Sequence, residues 1–176
     1  MPATEVNTMH DLLPKPEVEK LRAKAAEIDH PHEMIVDVLR AIQDHHGWVP
    51  DEGVQLTAAI LGVTPVEVDE LATFYDKIYR RPVGRKVIHV CDSVCCWATG
   101  TDQIVAHLRQ KLGVDLGQTS ADGMFTLLPT CCLGVCGDAP AMMIGLTTYG
   151  PLTVEDIDRI LEQERRGATA AEKIDS

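Results

Sequence analysis

All six cysteines of this chain lie in two short segments, and this clustering constrains the fold more than any other feature. The segments are residues 91–96 (Cys-Asp-Ser-Val-Cys-Cys) and 131–136 (Cys-Cys-Leu-Gly-Val-Cys), with 34 residues between them. Each follows a run rich in apolar residues, 86–90 or 125–128, that is typical of a strand. A fold that brings the two segments together can hold one metal centre with thiolates from both.

Composition narrows the class of protein. With 176 residues and 45% hydrophobic content, the chain can form a core that does not need disulfide bonds for stability. The net charge of −11 repels phosphate backbones, and aromatic residues make up only 4% of the chain, so we expect no nucleic-acid binding. An acidic surface favours docking against a basic partner protein.

The sequence predicts a cytoplasmic protein without a direct membrane span. No stretch approaches the roughly 18 apolar residues that cross a bilayer, and the N-terminal residues lack the pattern of a secretion signal. Membrane association is expected only at the surface of a membrane complex. In this reducing compartment, clustered cysteines favour metal binding or catalysis over structural disulfides.

Apolar periodicity divides the chain into a helical part and a part with strands. The predicted divisions are a flexible arm (1–16), a small helical bundle (17–75), a linker (76–85), a second domain (86–166) and a flexible tail (167–176). Thr64 and Glu67 form the capping-box pattern at the start of the fourth bundle helix. We interpret Phe74 and Tyr75, at the end of this helix, as core residues where the bundle meets the second domain, with partner docking as the alternative.

The second domain has the element order of a thioredoxin-like fold: strand, helix, strand, then strand, strand, helix. The predicted strands are 86–90, 125–128, 141–144 and 147–149, and the predicted helices are 101–112 and one that Thr153 caps. We therefore predict an α/β (α+β) fold class, with a small N-terminal helical bundle before a thioredoxin-like domain. A right-handed crossover makes the first two strands parallel neighbours, so both cysteine segments leave the same sheet edge.

Three chemistries fit clustered thiols to different degrees. A [2Fe–2S] centre takes four soft ligands, which the two segments can supply as two plus two. Four thiolates also satisfy structural zinc, but the usual C-x2-C knuckle is absent from the sequence. A thiol–disulfide oxidoreductase normally has C-x-x-C at a helix start, which is missing too. The sequence favours the iron–sulfur centre.

The cysteine pattern C-x4-C, 35 residues, C-x3-C resembles that of the thioredoxin-like [2Fe–2S] subunit of bacterial NADH:quinone oxidoreductase (complex I), the relative of the mitochondrial flavoprotein 2. The similarity covers about residues 17–164. The individual runs that match are 46–48 (His-Gly-Trp), 72–75 (Ala-Thr-Phe-Tyr), 89–94 (His-Val-Cys-Asp-Ser-Val) and 125–136 (Phe-Thr-Leu-Leu-Pro-Thr-Cys-Cys-Leu-Gly-Val-Cys). The resemblance implies a thioredoxin-like [2Fe–2S] ferredoxin domain in which Cys91, Cys96, Cys132 and Cys136 bind one cluster.

The resemblance also implies a setting. A larger flavoprotein partner is expected to hold FMN and the NADH site and to exchange single electrons with the cluster, within the peripheral arm of complex I. We expect no complete active site on this chain alone, which has no Gly-rich dinucleotide fingerprint. Related subunits serve NAD-dependent formate dehydrogenases and NAD-reducing hydrogenases, and these assemblies are the alternatives. The long match, which includes residues 130–133 and 142–144, favours complex I.

Two further cysteines lie directly beside expected ligands. Cys95 stands where members of the family more often carry a residue without a thiol, and Cys131 precedes Cys132. A shift of ligation to Cys95 or Cys131 would change the spacings to x3 and x4. We interpret both residues as small buried side chains, with ligand exchange or redox sensing as the alternative.

Overall fold

The structure, a computed structural model, describes residues 12–172. Within these residues the chain forms two compact units that divide between Pro82 and Val83. Most of the predicted arm, residues 1–11, and the end of the predicted tail, residues 173–176, lie outside the described residues. The boundaries proposed for arm, bundle, linker, second domain and tail stay predictions. No helix of the described part is long and apolar enough to span a membrane.

The first unit is built from helices, as its apolar periodicity predicts. The helices are α1 (Lys15–Ala26), α2 (Ile35–His46), α3 (Asp51–Leu61) and α4 (Pro65–Phe74), with a 3₁₀ turn (Pro31–Met34) before α2. Val38, Leu39 and Ile42 of α2 are fully buried at the centre of the core. Gly47 and Gly62 end α2 and α3 in the left-handed conformation that glycine adopts at low cost.

The predicted capping box at the start of α4 is confirmed. The Glu67 N–H donates to Thr64 Oγ1 at 3.3 Å, and the Thr64 N–H donates to the Glu67 carboxylate at 2.8 Å. The two side chains thereby satisfy backbone donors that the first turn of a helix leaves without partners.

Four apolar residues of this unit differ in their exposure. Leu12 and Leu13, inside the predicted arm, are 2% exposed and belong to the bundle core. The sequence does not show this burial, because a single apolar pair gives no helical period. Phe74 is 78% exposed and Tyr75 is 44% exposed, so neither side chain is buried in the core of this unit. Helix α4 buries Ala72, and Phe74 follows two residues later on the opposite side of the helix.

The second unit contains a five-stranded sheet with the order β2-β3-β1-β4-β5. Its strands are β1 (Lys86–Cys91), β2 (Gln118–Thr119), β3 (Phe125–Thr130), β4 (Met142–Ile144) and β5 (Thr147–Tyr149), and its helices are α5 (Val94–Ala98), α6 (Thr101–Leu112) and α7 (Val154–Glu172). A 3₁₀ turn (Cys136–Asp138) precedes β4. The order of elements confirms the predicted mixed fold class. The structure also contains α5 and β2, which the sequence did not predict because they are too short to show an apolar period.

The central strand pair decides where the cysteines lie. Strands β1 and β3 are adjacent and parallel, with Cys91 opposite Thr130, while β4 pairs with β1 in the antiparallel sense. The first cysteine segment therefore starts at the last residue of β1, and the second starts directly after β3. Both segments leave the sheet at the same edge, as predicted.

Helices α6 and α7 complete the core of this unit. Leu108 of α6 and Ile157 of α7 are fully buried in one apolar cluster with Ile88 and Phe125 of the sheet. Helix α7 continues to Glu172, past residue 166 where the tail was predicted to begin.

The start of α7 has the cap that the sequence predicts. The Asp156 N–H donates to Thr153 Oγ1 at 3.2 Å, and the Thr153 N–H donates to the Asp156 carboxylate at 3.1 Å. Hydrogen bonds from Arg159 and Thr153 hold the pKa of Asp156 at about 2, below its ordinary value of 3.8.

This depressed pKa makes the stability of the second unit sensitive to acid. Because the folded-state pKa lies below the unfolded-state value, the Asp156 carboxylate stabilises the fold above pH 3.8 and loses this effect as the pH falls toward 2. We expect Asp156→Asn to reduce the loss of stability over that range, measured by thermal unfolding in a pH series. Parallel pH profiles for the variant and the parent protein would contradict this expectation.

Candidate metal centre

The first cysteine segment supplies two buried thiols. Cys91 is the last residue of β1, Cys96 lies on α5, and each is 2% exposed. Their side chains belong to one buried cluster with Ala141, just before β4. Strand β1 and helix α5 thus bring two thiols into contact inside the protein.

Two threonines fix the backbone around these thiols. The Thr99 hydroxyl donates to the carbonyl oxygens of Cys95 and Cys96, at 2.9 and 3.1 Å, and closes the C-terminal end of α5. The Thr101 hydroxyl donates to the Cys91 carbonyl at 3.0 Å and ties the first residue of α6 to the end of β1. Neither threonine was singled out from the sequence, because hydrogen bonds to loop carbonyls leave no sequence pattern of their own.

The second segment supplies a pair of exposed thiols. The sulfur atoms of Cys132 and Cys136 lie 3.5 Å apart, and the Gly134 N–H donates to Cys132 Sγ at 3.3 Å. Gly134 has a φ of 80°, in the left-handed region that side chains with a Cβ rarely adopt. Glycine at this position therefore lets the loop curl back so that its N–H reaches the sulfur.

The two segments meet at the Cys91 sulfur. Burial acts to raise the pKa of Cys91, but the N–H groups of Ser93 and Leu133 and the Cys96 side chain outweigh it, so this pKa lies below its usual value. Leu133 belongs to the second segment and packs against the buried cluster of Cys91 and Cys96, so the two loops are in contact there. The same arrangement favours a thiolate over a thiol at Cys91.

The other thiols influence each other across the loops. Burial and the Cys91 thiol raise the pKa of Cys96, with a smaller contribution from the charge of Cys132. The neighbouring Cys132 and Cys95 side chains raise the pKa of Cys136 to about 11. The structure therefore brings the four predicted site residues to the same sheet edge as two pairs, Cys91 with Cys96 and Cys132 with Cys136. Their assignment as ligands stays a prediction.

The interpretation of the two additional cysteines as buried side chains is wrong. Both Cys95 and Cys131 are exposed. The reason at residue 95 is the short helix α5, which turns Cys96 inward and leaves its neighbour on the outer side.

The donor set fits a two-iron cluster. Such a centre takes four cysteine thiolates, two at each iron. The structure contains a buried pair, Cys91 with Cys96, and an exposed pair, Cys132 with Cys136. Within residues 12–172, no three or more His, Cys, Asp or Glu side chains surround one point as ligands of a single ion do. Two thiol pairs at the ends of adjacent parallel strands define a thioredoxin-like iron–sulfur protein.

Comparison with known proteins agrees with this class. The family model for the thioredoxin-like [2Fe–2S] ferredoxin matches residues 21–165. The chain belongs to the thioredoxin-like [2Fe–2S] ferredoxin family.

Its relatives include proteins named as the E subunit of NADH-quinone oxidoreductase. The protein from Escherichia coli (strain K12) is 43% identical over 159 residues, which cover 85% of this chain and 96% of the relative. The protein from Pseudomonas aeruginosa is 42% identical over 134 residues, which cover 76% of this chain and 81% of the relative. The match extends over most of both proteins.

A solved structure shares the fold. The air-oxidised NAD⁺-reducing [NiFe]-hydrogenase superposes with a TM-score of 0.65 over 76% of this chain, at 22% sequence identity. The chain spans only 23% of that hydrogenase chain, so the likeness concerns the fold alone.

Proposed function

We propose that this protein is the electron-transferring E subunit of an NADH-quinone oxidoreductase, complex I, and that it carries one [2Fe–2S] cluster. The observation that carries the proposal is the meeting of two thiol pairs at one sheet edge, in a chain closely similar to proteins of that name. When bound, the cluster supplies a carrier for single electrons. The chain contributes to the oxidoreductase as one component of a larger assembly.

The proposed ligands are Cys91, Cys96, Cys132 and Cys136. Burial of the first pair keeps water from one side of the site, and exposure of the second pair leaves the other side open. The N–H groups that point at the sulfurs of Cys91 and Cys132 favour negative charge there. Hydrogen bonds to sulfur and exposure to solvent both affect the reduction potential of such a cluster.

The proposed partner is a larger flavoprotein that holds FMN and binds NADH. The chain would dock on it within the peripheral arm, at the cytoplasmic face of the inner membrane. The acidic character of this chain, with a net charge of −11, supports a partner whose docking surface is basic.

Metal analysis and electron paramagnetic resonance test the cofactor. We expect the anaerobically purified, dithionite-reduced protein to give a spin-half spectrum at low temperature, with about two irons and two sulfides per chain. Stoichiometric zinc and a silent spectrum, in protein purified from its native source, would contradict the proposal and favour a structural zinc module.

Purification from the native source tests the parent complex. We expect a tagged chain to bring down the flavoprotein together with quinone-module subunits, identified by mass spectrometry. Recovery of hydrogenase or formate dehydrogenase subunits in their place would assign the chain to one of those assemblies and contradict complex I.

A further inference from the structure

The segment that carries the buried thiol pair is a closed loop. It begins at Cys91, the last residue of β1, contains Cys96 on α5, and ends at Thr101, the first residue of α6. The Thr101 hydroxyl donates to the Cys91 carbonyl at 3.0 Å, so one hydrogen bond joins the two ends of this segment. We call residues 91–101 the thiol loop.

The backbone around Cys91 is held by three parts of the second unit. The Cys91 N–H donates to the carbonyl of Ala141, next to β4, and the Asp92 N–H donates to the carbonyl of Thr130 on β3, both at 3.1 Å. The sheet and the segment before β4 thus bind two polar groups next to this thiol. The Cys91 carbonyl accepts from α6, through the side chain of Thr101.

Thr101 is suited to this contact by its burial and by its helix. It is 4% exposed, so bulk water has no access to take the place of its hydroxyl. A hydroxyl has a single O–H to donate, and at Thr101 that hydrogen is directed to Cys91. Ile104 and Leu108 of α6 are buried in the core, so the hydrogen bond connects the thiol loop to a helix that packing holds in place.

The neighbouring threonine differs in both respects. Thr99 is exposed, so water can solvate the groups that it contacts. Its hydroxyl donates to the carbonyls of Cys95 and Cys96, and its own N–H donates to the same two carbonyls at 3.1 and 3.2 Å. Without the Thr99 hydroxyl these carbonyls keep a donor, whereas the Cys91 carbonyl depends on the buried hydroxyl of Thr101.

We propose that Thr101 is a positioning residue for the iron–sulfur cluster: it closes the thiol loop and thereby keeps Cys91 and Cys96 in place and water away from them. The proposal rests on the proposed function. A buried carbonyl that loses its donor is costly, and water can replace that donor only if the loop opens. Water on the enclosed side makes iron easier to remove. It also stabilises the reduced state, which carries one more negative charge than the oxidised state.

The test measures two properties of the full-length, cluster-loaded chain. These are the rate of iron transfer to an added chelator and the midpoint potential of a reductive titration followed by electron paramagnetic resonance. Thr101→Val removes the hydroxyl and keeps the shape of the side chain. We expect this variant to lose iron about 10-fold faster, as one buried carbonyl without a donor implies, and its midpoint to become more positive. Thr101→Ser keeps the donor and should restore both properties toward those of the parent.

Thr57 offers a matched control. It is fully buried, and its hydroxyl donates to the carbonyl of Gly53 at 2.8 Å, but it lies on α3 in the first unit, which contains no cysteine. Thr57→Val makes the same chemical change and should keep the iron-transfer rate and the midpoint of the parent. Equal changes in Thr57→Val and Thr101→Val would overturn the proposal, because a general loss of stability would explain both.

The spectrum of the parent chain separates this proposal from the proposed function. If the parent shows no [2Fe–2S] signal, the proposed function fails. If the parent has the signal, but Thr101→Val keeps its iron-transfer rate and midpoint, only the positioning role is overturned.

Hydrogen exchange decides if Thr101→Val loses its cluster during purification. The exchange of residues 91–101 is then measured by mass spectrometry in the cluster-free variant and the cluster-free parent. Faster exchange confined to the thiol loop supports the role of Thr101. Unchanged exchange, or an increase throughout the chain, overturns it.

Discussion

Replacement of Cys96 by serine is expected to abolish or shift the [2Fe–2S] signal of the reduced protein. The Cys96 thiol is 2% exposed and lies in one buried cluster with Cys91, so a serine there removes a proposed soft ligand from the enclosed side of the site. Electron paramagnetic resonance and iron content per chain measure the effect.

Cys95→Ser is the matched control, since it changes the adjacent residue on the same helix. Cys95 is exposed and lies on the outer side of α5, so the variant should keep its cluster and its spectrum. The reverse result, with loss of signal in Cys95→Ser and a normal spectrum in Cys96→Ser, would overturn the ligand assignment.

Replacement of Gly150 by alanine is expected to destabilise the second unit and disturb the second cysteine loop. A Cβ at Gly150 would lie 2.2 Å from the carbonyl oxygen of Asp138, closer than real contacts allow, so the backbone must move. The displaced residues include Asp138, which directly follows the cysteine loop. We expect a loss of about 1–3 kcal/mol in the free energy of unfolding, measured in urea, together with faster loss of iron.

Gly137→Ala provides the comparison within the same loop. A Cβ at Gly137 meets no atom within 4 Å, and its φ is not in the left-handed region. We expect this variant to unfold at the urea concentration of the parent and to retain iron. If both variants lost equal stability, the close approach at Gly150 would not be the cause.

Much of the fold could be predicted because its signals are local. Thr153 and Asp156 mark a helix start by their spacing, and the structure has the reciprocal hydrogen bonds that this spacing predicts. The parallel pairing of β1 with β3 followed from the handedness of strand–helix–strand connections, which holds regardless of side-chain detail. The grouping of the cysteines at one sheet edge followed from that pairing.

The features that the sequence did not predict depend on contacts between distant residues. Helix α5 turns Cys96 inward and leaves Cys95 on the outer side. This helix has only five residues, so its sequence shows no apolar period. Likewise, the burial of Leu12 and Leu13 requires the bundle core that later residues build. The exposure of Trp97 and Phe74 ran against their hydrophobic character. The apolar periodicity of a sequence indicates which residues are buried within the chain. It does not indicate which apolar residues remain exposed on the surface.

The parallel pairing of β1 with β3 has a consequence for the assembly of the domain. The buried and exposed thiol pairs belong to strands that the whole of α6 separates along the chain, with 35 residues between Cys96 and Cys132. A centre held by both pairs therefore acts as a cross-link that closes this loop in the unfolded chain. The entropy relation used for disulfides gives about 4 kcal/mol for a loop of this size. Pairing of the two strands brings both thiol pairs to one sheet edge, so a centre held by both would lock the strands together.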